Sequence, residues 1–165
     1  MNGLAALPEI TVRPQETDDG ERLRRLFDRL SPETVYRRFF TLFPAPPPSV
    51  LRHLGAVDHC DHEGLVALEG DEIVAVARWD RPGEGGPRAA ELSILVEDAW
   101  QHRGLGRALM GLLVAEAARR RVTSLSAVIL TENRPARRLA TSLGPPTSVE
   151  MDGPVTHLTF ALASS

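Results

Sequence analysis

Along "EITVR" (residues 9–13) apolar and polar residues alternate with the two-residue period of a strand. The period then lengthens: Leu23, Leu26, Phe27 and Leu30 recur three and four apart, which predicts a helix. Ser31 and Pro32 follow as an N-cap and a first helical residue, opening a second helix through Val35, Tyr36, Phe39 and Phe40. That helix must stop near Pro44, because "PAPPP" removes backbone donors and clashes with a helical turn. A short helix around "SVLRHLGAV" precedes two strand-like runs, "GLVALEG" and "DEIVAVARW", and Gly70-Asp71 between them reads as the turn of a hairpin. "RPGEGGPR" has the composition of a flexible surface loop. Beyond it come a strand "AAELSILVE", a leucine-rich helix, a strand "SLSAVIL", and a short helix over Ala136, Leu139, Ala140 and Leu143 that ends at Gly144. The tail "PVTHLTFALA" closes as a strand. The class predicted is mixed α/β (α+β), with a largely antiparallel first half and a strand-helix-strand crossover in the second.

The crossover helix carries the first candidate chemistry. Leu105, Ala108, Leu109, Leu112 and Leu113 fall on one face, so the helix begins at or just after Gly104 and Gly106 in "WQHRGLGRALM". First-turn N–H groups lack partners inside a helix and the macrodipole is positive there, so an anion is favoured. Two residues without side chains let a phosphate approach the backbone. No Lys-Ser/Thr pair follows, as a nucleotide P-loop requires, and Leu109 stands where a dinucleotide fingerprint needs a third glycine.

Composition narrows the field. The 165 residues, 42% hydrophobic, fit one compact domain over residues 1–165. A net charge of -3 and a pI near 6.0 supply no global basic field, so nucleic acid is not expected as a partner. No apolar run has the length of a membrane span, and "MNGLAALPEI" lacks the features of a signal peptide, so no membrane is expected and the compartment expected is the cytoplasm. Cys60 is alone and has no internal partner. Nothing in the chain fixes an oligomeric state.

Gln101-His102-Arg103-Gly104-Leu105-Gly106, between the strand "LSILVEDAW" and "RALM", resembles the acetyl-CoA motif of the GNAT superfamily of N-acetyltransferases. The order strand, cradle, helix, strand, "EN", short helix, Leu-Gly follows that family over about residues 89 to 144. "LSPETVYRRFF", "VDHCDHEGLVAL" and "AELSILVEDAWQHRGLG" are similar to the catalytic domain of bacterial protein-lysine acetyltransferases of the Pat type, extending the likeness to about residues 30 to 144. The resemblance implies the GNAT fold, with acetyl-CoA as cosubstrate in the βαβ crossover. Leu95 and Val96 would offer backbone groups to the pantetheine arm. Gln101, His102, Arg103, Gly104, Leu105, Gly106, Arg107 and Ala108 would hold the pyrophosphate. Asn133 would lie near the cofactor, and a helix cap is an equally good reading of it. Regulatory domains that accompany such enzymes have no counterpart in these 165 residues.

An amine acceptor is protonated near neutrality, with a free pKa of about 10.4, so transfer needs a base. In "AAELSILVE", Ala90, Leu92, Ile94 and Val96 make one apolar face and put Glu91, Ser93 and Leu95 on the other. On a central strand Glu91 would be partly buried, which raises a carboxyl pKa and suits it to accept a proton. The resemblance assigns the same residue as general base. Many GNAT enzymes place a tyrosine as general acid where this chain has Ala140, so no residue is assigned that role. A backbone N–H at about Val96 is expected to hold the oxyanion. The acceptor implied is protein lysine. The alternatives are a small-molecule amine or antibiotic, or a non-catalytic acyl-CoA-sensing module.

"DHCDHE" (58–63) carries zinc chemistry at poor spacing: adjacent His59 and Cys60 suit a tetrahedral site badly, and no second ligand pair follows. No metal is expected, and the Pat-like resemblance makes the segment a lining of the acceptor side. The arginines of "ARRRV" (118–122) read as helix-end charges facing water. All 19 basic residues are arginine, so a lysine acetyltransferase of this sequence has only its N-terminal amine for self-modification.

Overall fold

Seven strands form one mixed sheet in the order β1-β2-β3-β4-β5-β7-β6 in the computed structural model, which describes residues 3–163 apart from 82, 84, 85 and 87. The strands are β1 (Ile10–Pro14), β2 (His62–Glu69), β3 (Glu72–Asp80), β4 (Ala89–Val96), β5 (Ser124–Leu130), β6 (Ser148–Asp152) and β7 (Val155–Ala161). All neighbours are antiparallel except β4 and β5, which are joined by the crossover helix. The mixed α+β architecture with an antiparallel first half and a βαβ crossover is therefore present, and β4 is central. Four of the eight residues of the "RPGEGGPR" loop fall outside the described residues.

Helices α1 (Gly20–Phe27), α2 (Pro32–Phe39) and α3 (Pro48–Gly55) cover one face, while α4 (Leu105–Arg119) and α5 (Arg134–Thr141) lie on the other. Ser31 caps α2 by accepting from the Thr34 N–H at 3.2 Å, with Pro32 at the first position. That helix ends one residue earlier than expected, because Phe40 leaves it in a left-handed conformation (φ 61). Leu23, Leu26 and Phe27 of α1 pack with Leu54, Val66, Val76 and Leu95.

The buried face of α4 is Leu105, Leu109, Met110, Leu113 and Ala117. Leu112, expected on that face, is exposed: four-residue steps from Leu105 reach Leu113 and Ala117 and turn Leu112 to solvent. α5 stops at Thr141, and Gly144 (φ 121) closes the turn beyond it. Strand β6 was not expected. Asp152-Gly153, with φ 56 at Gly153, is a hairpin signal that the strand "PVTHLTFALA" alone overlooks.

Candidate active site

The parallel ladder between β4 and β5 has only three pairs, Ala89 with Ser124, Ala90 with Leu125 and Glu91 with Ser126. Past Glu91 the two strands continue to Val96 and Leu130 without pairing to each other. A cleft of about 370 Å³ opens in this gap, lined by β4 from Glu91 to Val96, by α2, by the start of α4 and by α5. That volume is in the range of small-molecule sites.

The backbone of β4 divides by parity. Glu97 N–H donates to Val74 C=O at 2.8 Å, continuing the register that pairs Leu95 with Val76 and Ser93 with Arg78. In an antiparallel ladder alternate residues bond to the same neighbour, so odd residues face β3 while Leu92, Ile94 and Val96 turn their N–H and C=O toward the gap. Val96 thus has the orientation expected of a backbone donor. Leu95 does not: its polar backbone faces Val76 and its side chain is buried with the α1 and α3 residues, so it lines the cleft without offering it a donor.

The cradle end is made of backbone. Gly104 caps α4 with φ 86, a left-handed conformation costly for any other residue, and its C=O accepts from Ala108 N–H at 3.1 Å. The N–H groups of Leu105, Gly106 and Arg107 have no partner among the described residues, and no side chain caps the helix. A Cβ at Gly106 would point at Leu139, Ile94 and Val96 from 3.5 to 3.9 Å, inside the cleft. His102 and Arg107 line the same end and Arg107 adds positive charge. These features fit a phosphate-bearing ligand.

The expected cradle residues divide into two sets. Gln101, His102, Gly104, Gly106 and Arg107 line the cleft. Gln101 spends its amide N–H groups on Thr34 Oγ1 and Val96 C=O, both at 3.0 Å, so it ties α2 to the end of β4. Arg103 turns away, stacked over Trp100 at 4.1 Å and bonded to Glu9 at 3.1 Å. Leu105 is buried in the core, and Ala108 spends its N–H inside the helix. Asn133 is buried at the head of α5, where its Oδ1 accepts from Ala136 N–H at 3.2 Å, and it lines the cleft as well.

The apex end is made of side chains. Glu91 lines the cleft where the ladder closes, yet it is exposed, which corrects the expected partial burial: the parted strands leave this face of β4 open. Its neighbour across β3 is Asp80, and Asp80's neighbour across β2 is His62, so the three share one row on the α1–α3 face. Asp80 accepts from Arg78 Nη2 at 2.9 Å and meets His62 Nδ1 at 2.7 Å, with His53 Nε2 at 3.9 Å. These partners outweigh burial and hold the Asp80 carboxyl below its ordinary pKa. Arg78 is itself fully buried and also donates to the Leu54 and Ala56 carbonyls that end α3, at 2.7 and 2.8 Å.

Sequence reasoning missed Asp80, Arg78 and Arg38. The one available signal was the alternation of "DEIVAVARWD", which puts Arg78 and Asp80 on one face. None of the six residues of the "DHCDHE" segment lines the cleft, against the expected lining role; His62 alone shares the row of Asp80 and Glu91. His59 pairs with Glu63 at 2.8 Å, Cys60 is exposed, and among the described residues no group of three or more His, Cys, Asp or Glu is arranged to hold a metal ion. Asp58 accepts from the Cys60, Asp61 and His62 N–H groups, which push its pKa down to about 2. Ala140 lines the cleft, so no hydroxyl enters from that position.

A parted central strand pair with a donor-rich helix entrance beside it defines a transferase-type cleft for a phosphate-bearing donor. A model of the acetyltransferase (GNAT) family matches residues 23–144, and the chain belongs to that family. It is 36% identical over 135 residues to the acetyltransferase Pat of Mycolicibacterium smegmatis, covering 81% of this chain and 40% of that one. The chain thus spans well under half the length of that relative. It is 31% identical over 139 residues to the acetyltransferase PA5475 of Pseudomonas aeruginosa, covering 82% and 74% of the two chains. The crystal structure of the GNAT domain of S. lividans PAT superposes with a TM-score of 0.83 at 32% identity, covering 92% and 89%. Among the described residues no helix is long and apolar enough to cross a membrane.

Proposed function

We propose that the protein transfers an acetyl group from acetyl-CoA to a primary amine, protein lysine first, by direct attack with Glu91 as general base. The observation that carries this is the place of Glu91: a carboxylate at the closed end of the gap between β4 and β5, on the face away from α4. The cradle at α4 would hold the diphosphate of CoA, and Ile94 and Val96 would bond its amide-bearing arm, leading the thioester toward Glu91. Bound there, acetyl-CoA supplies an activated acyl group with a thiolate as leaving group.

The acceptor arrives as an ammonium, which cannot attack until it loses a proton. Glu91 takes that proton, directly or through water, as the nitrogen bonds to the carbonyl carbon. The carbonyl oxygen gains charge and is held by a backbone N–H of β4 that faces the gap between Glu91 and Val96, a donor fixed in direction before the reaction begins. The nitrogen sheds its second proton to solvent as the carbon–sulfur bond breaks, and CoA leaves as the thiolate, which solvent protonates since Ala140 offers no hydroxyl.

The test is CoA release by the wild-type protein over a panel of lysine-bearing proteins, peptides and small amines, with Glu91→Gln beside it. Turnover of lysine acceptors that disappears in the variant, with CoA binding kept, is the expected result. Preference for small amines makes this a small-molecule enzyme, and binding without turnover of any amine makes it an acyl-CoA sensor.

A further inference from the structure

Arg38 lines the cleft from α2, and its five N–H groups have no hydrogen bond or ion pair among the described residues. Its neighbour Arg37 is bonded to Glu33 at 2.8 Å, and Arg78 is spent on carbonyls and Asp80. Arg38 is also held in place. Its guanidinium lies 4.8 Å from the centre of the Phe39 ring, and Phe39 packs on Phe27 at 5.7 Å and Phe43 at 5.5 Å. Stacking covers one face of the guanidinium and leaves its edges, where the donors are.

Arg38 comes from α2, on the face of the sheet from which Arg78, Asp80 and Glu91 project, whereas the cradle begins on α4 at the other face. Burial together with Arg78 lowers the Arg38 pKa against the pull of Asp80 and Glu91. Glu91 and Val96 are five residues apart on β4, about 16 Å at strand spacing. The phosphate cradle lies at the Val96 end, where His102 and Arg107 serve it. Arg38 therefore faces the acceptor rather than the diphosphate. At the apex Arg38 and Arg78 balance Asp80 and Glu91, so an incoming ammonium leaves one uncompensated positive charge in a partly enclosed site, which is costly.

We propose that Arg38 recognises an anionic group on the acceptor, making the preferred substrate a primary amine with a carboxylate nearby: in a protein, a lysine flanked by Asp or Glu. The amine goes to Glu91 and the carboxylate to the edge of Arg38, in the two-bond geometry that guanidinium and carboxylate share. This rests on the reading of Glu91 as base and adds a rule for which lysines are chosen.

The experiment compares kcat/KM for lysine peptides that differ only in a Glu, Gln or Arg beside the lysine. In the wild type the Glu peptide should exceed the Gln peptide about tenfold, the scale of one hydrogen bond between charged groups, with the Arg peptide lowest. Arg38→Ala should bring the ratio close to one, Arg38→Lys should keep part of it, and Arg38→Glu should reverse it. A CoA-induced rise in melting temperature in each variant shows that the fold and the cradle are intact. Equal rates for Glu and Gln peptides in the wild type, or a preference that survives in Arg38→Ala, overturns the role of Arg38 alone. If the wild type binds CoA and turns over no amine, the transferase reading falls and this preference with it.

Discussion

The two ends of the cleft are built from different materials. At the cradle the working groups are main-chain N–H groups, exposed because a helix begins there and because Gly104 and Gly106 carry no side chains. At the apex they are side chains: Glu91 on β4 and Arg38 on α2 line the cleft, with Asp80 on β3 and His62 on β2 in the row beside Glu91. A backbone site is rigid and indifferent to most substitutions, which suits a ligand that never changes. A side-chain site is re-aimed by single substitutions, which suits an acceptor that differs from one enzyme to the next. The two ends should therefore fail in separable ways.

The largest separation is expected from Glu91→Gln. Loss of the general base proposed above should cost about 10²- to 10⁴-fold in kcat, while the distant cradle keeps its affinity for CoA. Single-turnover rates with a lysine peptide, beside calorimetric titration of CoA, read both quantities. Loss of CoA binding in this variant would break the division between the ends. Gly106→Asp is the converse. The Cβ meets nothing closer than 3.5 Å, so the fold tolerates it, but a carboxylate then stands where the helix dipole draws a phosphate. CoA affinity should fall about tenfold or more, with the loss smaller at high salt because the interaction is partly screened.

The same contrast decides how much could be read from the chain. Gly104 and Gly106 sit within three residues of each other, so the cradle appears in the sequence as a short motif. The strand pattern of "AAELSILVE" gave the faces of β4 correctly, with Leu92 and Ile94 toward α4 and Glu91 opposite. What one strand cannot reveal is how far its neighbour runs beside it. The ladder stops after three pairs, so Glu91 is open to the cleft rather than half-buried, and the backbone of Leu95 is taken by β3. Asp80, eleven residues before Glu91, joins the site only through register. Arg38 comes from a helix whose position depends on Asp98 bonding Ser31 N–H at 2.9 Å and on the Phe27, Phe39 and Phe43 cluster. None of these contacts has a local signature.

Asp80→Asn tests whether the apex is coupled to the fold. The carboxylate is the charged partner of the fully buried Arg78, and neutralising it should cost about 2 kcal/mol at pH 7. The Asp80 pKa is lowered in the folded protein, so its contribution is complete above the unfolded carboxyl value of about 3.9 and is lost as pH falls through the lower folded value. Denaturant melts of both proteins should thus differ at pH 7 and converge as the pH falls below the lowered folded value. A constant gap over that range would mean that charge is not what Asp80 contributes.

The smallest effect is expected at the head of α5. Asn133 lines the cleft and also caps α5, and these roles separate by substitution. Asn133→Ala removes the acceptor for Ala136 N–H and should cost about 1 kcal/mol, a fall of about 2–4 °C in Tm for a domain of this size. Asn133→Asp keeps an acceptor at the same place and adds a negative charge that the helix N-terminus favours, so stability should return. If Asn133 only caps, CoA affinity follows stability and recovers in Asn133→Asp. If it also donates from its amide to the ligand, affinity stays low in Asn133→Asp, because a carboxylate cannot donate and repels a phosphate or thioester oxygen. Thermal melts and CoA titrations on the two variants distinguish these outcomes, and the second would make α5 part of the cradle, extending the backbone-built end by one side chain.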